Sequence, residues 1–243
     1  MCHDDASRAP GVPDPVAVAS HGDLVLTAAD GNRFAAFAAQ PVAATPTGVV
    51  ILPDIRGLHD FYGDLTVRFA EAGMAAVAID YFGRTAGIGD RSAAFEFRPH
   101  VEQTTPEGVA ADVAAGVAHL RSADGGAVTS VFTVGFCFGG SFSWRQSAEN
   151  PGLAGAIGFY GRPERALAVA GRMTAPLLLL IGGADPGIPV SAVEEFRDAV
   201  PVETTLVVYD GAPHSFFDRG FAEHVEACSD AWRQIRAFIS RYS

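Results

Sequence analysis

The chain has 243 residues, 49% hydrophobic and 19% charged, which gives material for a sizeable core and excludes a disordered chain. Its net charge is −11, and all 17 basic residues are Arg, which argues against nucleic acid or an anionic membrane surface as partner. Cys2, Cys137 and Cys228 form no disulfide framework and fit a cytoplasmic location, and the opening MCHDDASRAP lacks the apolar run of a signal peptide or membrane anchor.

Residues 1–20, rich in Pro, Asp and Ala, read as an extended arm ahead of a single domain over 21–243. Cys2, His3, Asp4 and Asp5 match no standard metal spacing, so no metal site is expected there. Leu24–Ala28 and Phe34–Ala39 predict a hairpin closed at Asp30-Gly31-Asn32. GVVILP over Gly48–Pro53 is a continuous apolar run, the pattern of a buried parallel strand. A helix is predicted over Phe61–Ala72, a strand over Ala75–Ile79, and then a long polar loop, Tyr81–Pro106, suited to a lid or pocket wall. Helices follow at Gly108–Arg121, Ser141–Ala148, Ser191–Val200 and Phe221–Tyr242. Strands are expected at Ser130–Gly135, Leu153–Phe159, Leu177–Ile181 and Thr205–Tyr209. This alternation predicts an α/β fold, a mainly parallel sheet of about eight strands covered by helices on both faces.

The sharpest local motif is Gly135-Phe136-Cys137-Phe138-Gly139-Gly140, placed between a strand and a helix. It has the form of the G-x-S-x-G nucleophile elbow with Cys as nucleophile. The tight turn requires glycines on either side, the helix N-terminus favours a thiolate, and the backbone N–H of Phe138 can bind an oxyanion. Downstream, Asp185 follows the strand Leu177–Ile181, and His214 follows the strand ending at Tyr209. Open α/β sheets gather their chemistry at the carboxyl ends of strands, so Cys137, Asp185 and His214 are expected to converge as nucleophile, orienting acid and general base. Read singly, Asp185 could cap a helix, and His214 could be an ordinary loop histidine.

With VVILPDIRGL, AIDYFGR, VGFCFGG, IGGADPGIP and GAPHSF in place, the chain resembles the dienelactone hydrolase family from Gly48 to its C-terminal helix. The resemblance implies the α/β-hydrolase fold, a three-layer sandwich, with a Cys–His–Asp triad, no cofactor and no metal. It also implies an acidic thiol-modulating residue at Asp54, where founding members carry Glu, and a second oxyanion donor in the backbone N–H of Ile55. Founding members bind a substrate carboxylate through two Arg residues. The first maps to Arg84 or Arg91; the second falls on Asp218, beside Arg219, and Arg56 is a further candidate.

Aromatic and histidine side chains near these motifs supply a candidate substrate pocket: Tyr81, Phe97, His100, Tyr160 and Phe216, with Phe82, Phe95, Phe138, Phe217 and His59 nearby. The expected function is hydrolysis of a small ester or lactone through a thioacyl-enzyme, by a monomer or homodimer. A broad esterase, a thioesterase or an acyl transferase would use the same triad. A non-catalytic hydrolase-like binding module and a thiol redox sensor at Cys137 are further readings.

Overall fold

The computed structural model describes residues 3–243. Its strands are β1 (Val18–Thr27), β2 (Arg33–Pro41), β3 (Thr47–Leu52), β4 (Ala75–Ile79), β5 (Ser130–Phe136), β6 (Gly155–Phe159), β7 (Leu177–Gly182) and β8 (Thr204–Tyr209). They form one sheet in the order β1-β2-β4-β3-β5-β6-β7-β8. The β1–β2 and β2–β4 pairs are antiparallel, and all other neighbours run parallel. The hairpin closes where the sequence places it: Gly31 takes φ +86°, and Ala28 N–H donates to the Asn32 carbonyl at 2.8 Å.

Successive strand residues face opposite sides, so each central strand feeds two cores. Val49 and Ile51 of β3 pack with α1 (Asp60–Glu71) and a helix at Val225–Tyr242, while Val50 and Leu52 pack with a helix at Pro106–Arg121. All six residues of β3 and all six of β7 are buried, which explains their unbroken apolar runs. The expected α/β layering is therefore present.

The stretch Tyr81–Pro106 is not one loop. It contains two short helices, α2 (Gly83–Ala86) and α3 (Arg98–Gln103), before α4 (Pro106–Arg121). Neither reaches two turns with an apolar stripe, so helical periodicity had too few residues to register. The remaining helices are α5 (Phe138–Glu149), α6 (Val190–Ala199) and α7 (Val225–Tyr242), the last preceded by a 3₁₀ turn at Ala222–His224. No helix among the described residues is long and apolar enough to cross a membrane.

The N-terminal arm lies against the domain. His3, Ser7, Ala9 and Val12 are buried, and Trp232 on α7 donates its indole N–H to the Pro10 carbonyl at 3.4 Å.

The sheet order also positions the chemistry. β3 has β4 on one side and β5 on the other, so the chain winds outward in opposite directions from this point. Segments leaving the carboxyl ends of β3 and β5 thus head in opposite directions, the topological switch point at which open α/β sheets usually bind ligands.

Candidate active site

Cys137 stands at the carboxyl end of β5, between β5 and α5, with φ +54° and ψ −108°. A non-glycine residue at positive φ is strained and persists only where its surroundings dictate it. Here they do so through close backbone packing. A Cβ on Gly135 would lie 2.0 Å from the Gly139 carbonyl oxygen, and one on Gly139 would lie 2.2 Å from the carbonyl oxygens of both Leu52 and Pro53. The glycines let α5 press against β3, and the turn lifts the thiol to a partly exposed position. Phe138 opens α5, so its backbone N–H has no intrahelical acceptor.

The loops after β7 and β8 are stitched together. Gly183 N–H donates to the Tyr209 carbonyl at 2.8 Å, and Ala184 N–H to the Ala212 carbonyl at 3.0 Å. This brings Asp185 against His214, whose Nδ1 hydrogen-bonds Asp185 Oδ2. The other Asp185 oxygen accepts the Gly187 N–H at 2.8 Å. His214 also hydrogen-bonds the side chain of Cys137. With Nδ1 committed to Asp185, Nε2 is the nitrogen left for the thiol. Burial opposes the charged imidazole, but Cys137 and then Asp185 outweigh it, and the His214 pKa is raised.

Asp54, just past β3, is fully buried. It accepts backbone N–H bonds from Arg56 at 2.8 Å and His3 at 3.0 Å, and His59 Nε2 lies 3.6 Å away. Burial opposes its ionisation, yet His59, His3 and the Arg56 N–H together hold its pKa below the ordinary value. Tyr81 donates its hydroxyl to the Pro53 carbonyl at 2.8 Å and also hydrogen-bonds the Asp54 carbonyl, fixing the strand end beside Ile55.

The arginines singled out from sequence are engaged inside the chain. Arg84 pairs with Asp112 at 2.9 Å and with Asp30 in the β1–β2 turn. Arg91 pairs with buried Asp80 at 2.9 Å and lies over the Phe95 ring, lining a cavity of about 610 Å³ with His59 and Phe37. Arg56 pairs with Asp5 at 2.5 Å and lines a cavity of about 310 Å³ with Phe97 and Ala93. Asp218 accepts the Arg8 N–H, and Arg219 is exposed.

Among the aromatics, Tyr160 is buried with its ring centroid 4.9 Å from that of His214. Phe216 is wholly buried between Tyr209 and Tyr160, within the core. His100 stacks on Phe95 and shares a 2.9 Å hydrogen bond with Thr85.

Two residues escaped sequence reasoning. Arg165 lies over the Phe138 ring at 4.7 Å, with no carboxylate partner among the described residues. It ends a short 3₁₀ turn, Pro163–Arg165, that carries no motif. His3 belongs to the N-terminal arm, where composition gives no sign of burial, and is buried beside Asp54 and Tyr160. His3, Asp4 and Asp5 join no metal-binding cluster among the described residues; Cys2 lies outside them.

The dienelactone hydrolase family model matches residues 34–243. The chain belongs to the dienelactone hydrolase family. An Escherichia coli (strain K12) protein named "Putative carboxymethylenebutenolidase" is 29% identical over 253 residues, covering 98% of this chain and 92% of its own. A Yersinia pestis protein of the same name is 29% identical, with coverage of 87% and 85%. The solved structure of a "Putative Dienelactone Hydrolase" from Klebsiella pneumoniae subsp. pneumoniae superimposes with a TM-score of 0.79 at 28% identity, covering 92% of this chain and all of that one. As a member of the dienelactone hydrolase family, this chain is a hydrolase of the ester- and lactone-cleaving class.

Proposed function

We propose that this family member hydrolyses a small ester or lactone by cysteine nucleophilic catalysis, with Cys137, His214 and Asp185 as its triad. The observation that carries this reading is the hydrogen-bonded series Cys137–His214–Asp185, with the thiol held on a strained elbow. His214 takes the thiol proton, and the thiolate sulfur attacks the substrate carbonyl carbon. The backbone N–H groups of Phe138 and Ile55 receive the negative charge that develops on the carbonyl oxygen. The tetrahedral intermediate collapses, the C–O bond breaks, and His214 returns the proton to the leaving alkoxide. In a lactone that alkoxide stays tethered to the acyl group. His214 then deprotonates a water that attacks the thioester, releasing the acid and restoring the thiol.

Asp54 is the thiol-modulating carboxylate of this reading. Its charged state and position near the elbow oppose premature thiolate formation. Quenching the reaction with an activated ester and measuring intact mass tests the scheme. An acyl adduct mapping to Cys137 is expected, and hydrolysis with no adduct and no dependence on Cys137 would refute it.

A broad esterase acting on neutral substrates is a second reading, favoured by one observation. Arg56, Arg84 and Arg91, the candidates for a substrate carboxylate, are each paired with an Asp of the chain. Under this reading a neutral short-chain ester has a lower KM than dienelactone. Under the first, dienelactone or another anionic lactone is preferred, with Arg165 the nearby cation able to receive it.

A further inference from the structure

His3 lies outside the segment matched by the family model, yet it is wholly buried beside the candidate active site. Its ring stacks on Phe61 with centroids 3.8 Å apart and planes 11° apart. Its backbone N–H donates to Asp54, and its carbonyl accepts from the Arg56 guanidinium at 2.9 Å. Stacking alone would be served by a phenyl ring, so the polar edge of the imidazole calls for another account. That edge meets Tyr160: His3 Nε2 lies 3.0 Å from the Tyr160 hydroxyl. Nδ1 faces the ionised Asp218 at 4.0 Å, which favours the proton on Nδ1 and leaves Nε2 to accept from the tyrosine.

Tyr160 is strained in turn. It follows β6 with φ +36°, its backbone N–H is tied to the Leu180 carbonyl at 2.8 Å, and its ring lies against that of His214. The His214 side chain keeps 30% of its surface exposed, so the imidazole has room to swing toward solvent. Asp185 holds one edge of that ring, and Tyr160 flanks it.

We infer that His3 is a positioning residue of the hydrolytic site: by fixing the Tyr160 hydroxyl it holds the Tyr160 ring, and through it the His214 imidazole, in register with Cys137. This rests on the reading of Cys137 and His214 as the catalytic pair. The arm has other anchors, Ala9 N–H on Asp64, Pro10 under Trp232 and Pro13 under Arg236, so removing the His3 side chain leaves the arm attached.

The test is steady-state hydrolysis of p-nitrophenyl acetate by the full chain carrying His3→Ala, His3→Gln, Tyr160→Phe or the His3→Ala/Tyr160→Phe pair, with Cys137→Ala as control. Tyr160→Phe removes one hydroxyl and leaves the arm and the packing in place, so it remains informative if His3→Ala folds poorly. His3→Ala and Tyr160→Phe are each expected to lower kcat about five- to ten-fold with little change in KM, as loss of one orienting hydrogen bond would. The pair should be no slower than the slower single variant, because both break the same link. His3→Gln, which can still reach the tyrosine, should recover part of the loss. Full kcat in Tyr160→Phe, or additive losses in the pair, would overturn the inference. Undiminished hydrolysis by Cys137→Ala would instead overturn the catalytic reading on which it rests.

Discussion

Asp185 meets His214 with one carboxylate oxygen and holds the Gly187 backbone N–H at 2.8 Å with the other. The carboxylate is therefore oriented before the histidine arrives, and the histidine tautomer follows from it. Asp185→Asn places an amide there that can present N–H where an acceptor is needed. Its kcat is expected to fall about 10²- to 10⁴-fold with the fold intact, as measured by ester hydrolysis alongside circular dichroism. Activity near wild type would remove Asp185 from the proposed triad.

Cys137→Ala is expected to abolish turnover of an activated ester while preserving the melting temperature. Iodoacetamide should label Cys137 ahead of Cys228, with substrate protecting it. Cys228 is buried, its thiol hydrogen-bonds the Phe216 carbonyl, and burial pushes its pKa up to about 12. Peptide mapping after alkylation separates the two; preferential labelling of Cys228 would contradict the assignment.

The His214 pKa is raised in the folded protein, against burial, by Cys137 and Asp185. The folded state therefore binds this proton more tightly than the unfolded state does. The resulting stabilisation is complete below the unfolded value of about 6.5 and is lost as pH rises through the folded value. The melting-temperature gap between wild type and His214→Gln should accordingly be widest in mild acid and close in alkali. A gap that grew with pH would reverse the sign.

Gly139→Ala tests the elbow. Its Cβ would lie 2.2 Å from two backbone carbonyl oxygens, neither of which can rotate away. A loss of about 3 kcal/mol or more is expected in urea unfolding, since relief requires moving α5 off β3. A neutral substitution would mean that helix and strand are farther apart.

Arg84→Gln should act on stability rather than substrate binding. Asp112 is buried, and burial already lifts its pKa to about 6 despite the Arg84 and Asn32 hydrogen bonds. Loss of Arg84 leaves that carboxylate less compensated, at an expected cost of about 2 kcal/mol near neutral pH, reduced when Asp112→Asn is added. KM for an anionic lactone should not change. A large KM increase with unchanged stability would return Arg84 to the substrate site.

The catalytic candidates could be read without coordinates because each is marked by a local rule. Gly135, Gly139 and Gly140 announce a turn too tight for side chains, and Asp185 and His214 each follow an apolar strand. The strand runs likewise follow from burial on both faces, which leaves no polar alternation in β3 or β7. The arginines had no such rule. A guanidinium's role depends on which carboxylate is within reach, and Arg84 finds Asp30 and Asp112, 54 and 28 residues away.

By itself the sequence determined the layered α/β class and marked the elbow cysteine with its candidate partners downstream, since periodicity and glycine placement are local properties. Only the tertiary structure decided which charges are already neutralised, that Tyr81–Pro106 contains two short helices, and that His3 lies buried between Phe61 and Tyr160. Those outcomes depend on contacts between distant segments, where the balance between desolvation and pairing is set by geometry and not by residue type.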